Sequence, residues 1–220
     1  MPRVSDEHLE RRRQQILDAA RICFVRKGFH QTSMQDVFTE SGLSAGAVYR
    51  YFKGKDELVM ALASTAAGDI RARMSEVIHR DPPPTPAELV AHMTAWLDTQ
   101  SGPEGRLRLA PQAWSLALID KQAAEPVLRT MSGIRAMWRD YAERMRDQGW
   151  LAADADLDAV AAALFGLLPG YVLQSLLIGD MDRDEYIRGI ETLFPYGPPR
   201  SPGPKPAGAA DRNSGQGSNP

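Results

Sequence analysis

The sequence predicts an all-α protein of about nine helices, and three observations predict it. Apolar residues recur at steps of three and four through most of the 220 residues. No segment shows a convincing period of two, the alternation a half-buried strand requires. Gly or Pro punctuates the ends of the periodic runs. With 43% hydrophobic and 25% charged residues the chain can bury a sizeable core.

The first helix, about Asp6 to Lys27, places Leu9, Ile16, Ala20, Cys23 and Phe24 at helical spacing and stops at Gly28. A second begins at Ser33, with Asp36 three residues on as a variant capping box and Val37 and Phe38 as its apolar face; Gly42 ends it. Ser44 caps a third, Ala45 to Tyr51. Gly54, or Lys53 before it, opens a fourth, in which Leu58, Leu62, Ala66, Ile70, Met74 and Ile78 recur every four residues, until Asp81-Pro82-Pro83-Pro84 breaks it. Thr85-Pro86-Ala87-Glu88 starts the fifth with a cap, a first-turn proline and a capping-box acid. Gly102, Pro103, Gly105 and Pro111 blur the sixth, whose apolar face is Leu107, Trp114 and Leu118. In the seventh, Val127, Met131, Ile134, Trp138, Tyr141 and Met145 step by four and three before Gly149. Asp154, Asp156 and Asp158 favour the positive end of the eighth, Leu157 to Ile178, where Pro169 should kink the axis. The ninth covers Asp182 to Phe194. From Tyr196 onward five Gly, six Pro and little apolar surface predict a disordered tail, 196–220.

Thr32 to Lys55 holds the most specific pattern: two short helices and a tight turn, the size and grammar of a helix-turn-helix over residues 33–52. Small Ala45, Gly46 and Ala47 leave room for close approach to a DNA groove. The charge agrees locally: the net charge is −2, yet residues 1–60 carry ten Lys or Arg against eight Asp or Glu, helped by Arg11, Arg12 and Arg13. Thr32 and Ser33 are positioned to offer hydroxyls and helix N-terminal N–H groups to phosphate. Lys55, set against the dipole of the fourth helix, also suits a phosphate contact. A lone Cys23 excludes an internal disulfide and fits a reducing compartment. No apolar core follows the N-terminal charges, so no signal peptide is expected. Interruptions in the apolar run Ala159–Gly179 favour a buried or interface helix over a membrane span.

Gly28-Phe29-His30-Gln31-Thr32-Ser33-Met34-Gln35-Asp36-Val37, then Ser41-Gly42-Leu43-Ser44-Ala45-Gly46-Ala47-Val48-Tyr49-Arg50-Tyr51-Phe52, then Lys55-Asp56-Glu57-Leu58, resemble the tetracycline-repressor-like (TetR) family. The likeness runs residue by residue from roughly Glu10 to Ile70; beyond that it extends only to helix count and length. It implies a DNA-binding domain over 10–70 and a ligand-binding and dimerisation domain over 71–195. It also implies a cytoplasmic homodimer on a palindromic double-stranded DNA operator. Contacts to DNA are expected from Thr32, Ser33, Ser44, Ala45, Gly46, Ala47, Tyr49, Arg50 and Lys55. Tyr51 and Phe52 read better as an apolar hinge. Two departures stand out: Ala45 replaces a frequent lysine, and Gly54 a frequent capping serine.

The resemblance further implies a pocket for a small effector of unknown identity. Met93, Trp96, Trp114, Met131, Trp138, Tyr141, Phe165, Tyr171 and Gln174 are its candidate walls, large or adaptable side chains that serve equally as plain core. The last two helices carry more apolar surface than one side of a monomer can bury, with Leu164, Leu168, Val172, Leu176, Leu193 and Phe194 as candidate dimer contacts. The function expected is a ligand-responsive repressor; a helical protein that binds DNA constitutively is the alternative. Catalysis lacks a constellation. Gly42-Leu43-Ser44-Ala45-Gly46 spells G-x-S-x-G, but the nucleophile elbow needs a strand before its serine. Asp180, Asp182, Asp184 and Glu191 have the acidic spacing of a calcium loop but place Glu185 where the loop needs glycine. His8, His30, His79 and His92 form no ligand cluster, so neither metal nor cofactor is expected.

Overall fold

Capping side chains set where several helices begin, and glycines with positive φ set where several of them end. The computed structural model describes residues 6–102 and 106–196. Helix α1, Asp6–Lys27, stops at Gly28, whose φ of 77° suits a residue without a Cβ. In α2, Met34–Ser41, the Asp36 N–H donates to Ser33 Oγ (3.2 Å) and the Ser33 N–H donates to Asp36 Oδ2 (2.8 Å). Gly42, at φ 66°, closes it. Helix α3, Ala45–Tyr49, is two residues shorter than its periodicity predicts. Its last turn tightens as the Tyr51 N–H donates to the Val48 carbonyl (2.9 Å).

Helix α4 runs over Lys55–Ile78 and α5 over Pro86–Thr99, the latter capped by the Thr85–Glu88 box. A 3₁₀ turn at Arg106–Arg108 leads into α6, Leu109–Ile119, followed by α7, Lys121–Asp147. The predicted eighth helix is two: α8, Leu157–Phe165, and α9, Leu167–Leu177. Pro169 has no N–H to give the Phe165 carbonyl, and the axis breaks at Gly166. With α8 and α9 counted as one kinked helix, α10, Arg183–Leu193, is the ninth. No strand occurs among the described residues.

Two apolar cores share α4. The first joins Ile16, Leu17, Phe24, Val37, Phe38, Val48 and Phe52 to Leu58, Val59 and Leu62, and takes in Leu109 and Ala113 of α6. The second gathers Met74, Ile78, Leu89, Met93, Trp138, Tyr141, Leu164 and Tyr171. The loop between α4 and α5 is pinned to α7: Tyr141 donates to the Pro84 carbonyl (2.6 Å), and Arg144 to that of Arg80 (2.7 Å). Burial, reinforced by the Glu88 charge, pushes the Tyr141 phenol far above its ordinary range.

Three expectations are corrected here. Leu9, in the first turn of α1, is exposed. Leu118 is 88% exposed, because α6 turns Leu109, Ala113 and Leu116 toward the first core and Leu118 away from it. Tyr196, expected to open the tail, stacks on Trp150 at 6.5 Å with ring planes 8° apart. The remainder of the predicted tail, 197–220, lies outside the described residues. Leu157–Leu177 is long and apolar enough to cross a membrane by length and composition. It is, however, broken at Gly166, and Leu157, Ala161, Leu164, Leu168, Tyr171 and Val172 are buried within the protein.

Candidate nucleic-acid interface and ligand cavity

The turn between α2 and α3 presents the N-terminus of α3 outward while its interior is locked. Val48 enters the first core, Gln15 donates to the Ser41 carbonyl (2.8 Å), and Phe38 meets Tyr49 edge-on at 5.4 Å. Ser44 Oγ accepts the Ala47 N–H (3.3 Å), so the serine of the G-x-S-x-G match caps a helix that follows another helix. Ser44, Ala45, Gly46, Tyr49 and Arg50 are exposed, and Ala47 is half-buried. Phe52 is buried beneath Arg13, whose guanidinium carbon lies 5.6 Å from the ring centre.

Thr32 is placed differently from expectation. It is 1% exposed, and its hydroxyl donates to the Gly28 carbonyl (2.8 Å) with that of Cys23 also in reach (3.1 Å). It fastens the turn after α1 and offers no hydroxyl to phosphate. Ser33 is exposed, although its hydroxyl is engaged with Asp36. The Lys27 ammonium at 2.6 Å, with the hydrogen bonds from Ser33, holds the Asp36 carboxyl well below the usual range. Lys55 is not a stray charge on its helix. Its Nζ donates to the carbonyls of Phe29 (3.0 Å) and His30 (3.4 Å) and sits 4.7 Å from the centre of the Phe29 ring. Lys53, which the motif does not single out, donates to the Tyr49 carbonyl at the end of α3 (2.9 Å).

A cavity of about 120 Å³ opens between α4, α5, α6, α7 and the α8–α9 break. Met93, Trp96, Trp114, Met131, Trp138 and Phe165 line it. Tyr141, Tyr171 and Gln174 do not, because their polar groups are engaged in ties within the fold. Tyr141 holds Pro84; Tyr171 donates to Asp98 Oδ1 (2.6 Å); Gln174 donates to the Gly170 carbonyl (3.3 Å). Burial first, then the Asp98 hydrogen bond, push the Tyr171 phenol up to about 12. Pro169 belongs to the cavity wall, so the kink shapes the cavity.

On the α4 side of the cavity, from Met60 to Ile70, Leu62, Ala66 and Ile70 belong to the helix's apolar ladder, but a ladder of that period does not tell a cavity wall from packed core. The available signal is composition: Ala61-Leu62-Ala63-Ser64-Thr65-Ala66-Ala67 puts small side chains opposite the tryptophans and leaves space. Leu62, Leu109 and Ala113 line the cavity and also belong to the first core, so one surface serves both.

The expected dimer residues divide between two faces. Leu164, Leu168 and Val172 are buried in the second core, while Leu176 and Phe194 are half-buried against it. The ladder of four points inward because this face meets α5 and α7. The outward apolar residues are Leu173, Leu177 (79% exposed), Ile178 and Leu193 (73% exposed), beside exposed Ala162, Ala163 and Gly166.

A capped and exposed α3 on a tight three-helix core, joined by one long helix to a helical body with an internal cavity, defines a helix-turn-helix protein. Residues 16–62 match the family described as "Bacterial regulatory proteins, tetR family". It is 45% identical over 64 residues to the uncharacterized HTH-type transcriptional regulator YfiR of Bacillus subtilis, covering 29% of this chain and 31% of YfiR. The match thus spans about a third of that relative's length. Over 190 residues it is 28% identical to the HTH-type transcriptional repressor AcnR of Corynebacterium diphtheriae, covering 85% of this chain and 93% of AcnR. Among solved structures, a SmeT–triclosan complex superposes with a TM-score of 0.65 at 21% identity, covering 89% of this chain and 99% of SmeT.

Proposed function

We propose that this chain is a transcriptional repressor that binds a palindromic operator as a homodimer and releases it when a small, largely apolar molecule occupies the cavity. The proposal includes a cytoplasmic location, a DNA-binding domain over 10–70 and an effector and dimer domain over 71–195. The observation that carries it is the shared wall: Leu62, Leu109 and Ala113 face the cavity and pack in the core beneath the helix-turn-helix. A ligand that prefers one position of α4 and α6 therefore acts directly on the seat of α3. The likeness to the transcriptional repressor AcnR and to SmeT in complex with triclosan supports the same reading.

In this reading Arg50 and Tyr49 contact DNA, Ser44 to Ala47 approach it closely, and Ser33 and Lys55 add backbone contacts. Few hydrogen-bonding side chains at the start of α3 put weight on Arg50, thymine methyl contacts and DNA shape. Selection from random DNA should return half-sites about one helical turn, roughly 34–36 Å, or a multiple of it apart. Operator affinity should then fall by about 5- to 150-fold when a compound that raises the melting temperature saturates the protein. If a saturating compound leaves operator affinity unchanged, the protein is a constitutive DNA binder.

A further inference from the structure

Two basic residues close the last turn of α1, and each reaches an acid on α2. Arg26 lies 3.4 Å from Glu40, and Lys27 lies 2.6 Å from Asp36. The two acids are placed differently. Glu40 stands in the last turn of α2, where a carboxylate opposes the helix dipole and a neighbouring cation relieves it. Asp36 stands in the first turn, where the dipole favours it. Ser33 already gives it two hydrogen bonds, one from its N–H and one from its hydroxyl, both 2.8 Å. The capping box is therefore complete without Lys27. Both partners of the Lys27–Asp36 pair are also partly exposed, and such pairs add little to stability.

What Lys27 changes is the charge at the start of α2. Asp36 shares this turn with Ser33 and with the N–H groups of Met34 and Gln35, which have no carbonyl inside the helix to accept them. Lys55 reaches the residues just before it from α4, its ammonium 3.0 Å from the Phe29 carbonyl and 3.4 Å from that of His30. With Lys27 in place, the Asp36 charge is matched and the Lys55 charge is left in excess. Without Lys27, the Lys55 charge would have to offset Asp36. A carboxylate need not touch a phosphate to repel it, since charges act on one another over the Debye length of about 8–10 Å at physiological salt.

We infer that Lys27 serves DNA binding through Asp36: it neutralises the carboxylate that caps α2, so that this carboxylate does not repel the phosphates α2 approaches. The inference rests on the approach of Ser33 to the DNA backbone proposed above. Fluorescence anisotropy of the full chain on random-sequence duplex DNA tests it, because a charge effect on phosphate carries no sequence information. Lys27→Met keeps the apolar stem and removes the ammonium. It should weaken binding by about fivefold at about 0.1 M salt, and the loss should shrink as salt is raised. Adding Asp36→Asn to Lys27→Met should return affinity to within about twofold of the parent. Asp36→Asn alone should bind more tightly than the parent.

A Lys27→Met variant that binds like the parent overturns the inference. So does a double variant as weak as Lys27→Met, which would make Lys27 a brace for α2 or a phosphate contact in its own right. Gln35→Glu separates these failures from failure of the reading beneath them, because it adds a carboxylate to the same turn at an exposed position. If Gln35→Glu weakens binding and Lys27→Met does not, only the role of Lys27 falls. If neither weakens it, the approach of α2 to DNA falls as well. Should Lys27→Met lose its helical circular dichroism, Asp36→Asn alone decides: a folded Asp36→Asn variant that binds no more tightly than the parent overturns the inference.

Discussion

In the helix-turn-helix unit Ser33, Ser44, Thr32 and Gln15 each satisfy a particular backbone group, whereas in the helical body Met93, Trp96 and Trp138 surround space. The first arrangement leaves little freedom in residue type, since a cap or a left-handed glycine is chosen by backbone geometry. The second asks only for apolar side chains of adequate volume. One unit is built to hold a shape and the other encloses space.

The largest effect is expected where, in the proposed dimer, the body would meet a second copy. Leu173→Glu with Leu177→Glu should give monomers by light scattering that keep their helical circular dichroism. Operator affinity should fall by about 10²- to 10⁴-fold as the linked second half-site is lost. A double variant that stays dimeric moves the interface off this face. Leu168→Glu would report something else, because Leu168 is buried in the second core and on the cavity wall.

Adding volume tests the contrast most directly. Ala20→Leu, in the tight first core, should lower stability by about 1–3 kcal/mol in denaturant titration. Ala66→Leu, on the cavity wall, should be tolerated or stabilising and should blunt the response to effector. Equal destabilisation by the two would remove the distinction between packed core and open cavity.

Arg50→Ala should cost operator binding about 1–3 kcal/mol and relax sequence preference, with random DNA affected much less. Lys55→Ala should make the salt slope shallower by about one unit if a proton of its ammonium not given to Phe29 or His30 meets phosphate. An unchanged slope would assign Lys55 wholly to bracing the turn after α1.

The smallest effect concerns the cap of α2. Because Lys27 and Ser33 depress the Asp36 carboxyl in the folded state, its contribution is present above the ordinary carboxyl pKa of about 3.9 and is lost as pH falls below it. Melting temperature should therefore fall more steeply between about pH 4 and pH 2 in the parent than in Asp36→Asn. Parallel curves would show that the ion pair contributes nothing measurable, as exposed pairs often do.

The same contrast explains what could be read before the fold was known. Ser33, Ser44, Thr85, Asp156 and Asp182 cap helices where capping chemistry predicts, and Gly28, Gly42 and Gly149 take positive φ. Such local rules also locate the helix break ahead of Pro169. Facing direction was less legible. An apolar ladder such as Leu164, Leu168, Val172 and Leu176 has the same period whether it meets its own core or another subunit. Leu118 fits a helical face that no neighbour covers. Thr32 shows the limit of assigning a hydroxyl by position in a motif, since its nearest acceptors are carbonyls brought close by the Gly28 turn. Tyr141, Tyr171 and Gln174 lie on helices around the cavity, but Pro84, Asp98 and Gly170 compete successfully for their polar groups.

Helix α9 is only one helix thick between two surfaces: Leu168, Pro169 and Val172 face the cavity, and Leu173 and Leu177 face outward. In a dimer closed across that outward face, the two cavities would lie back to back with little besides paired α9 helices between them. Filling one would alter the wall of the other, so effector titrations of the dimer should depart from a Hill coefficient of one. The monomeric Leu173→Glu, Leu177→Glu variant should return to simple hyperbolic binding.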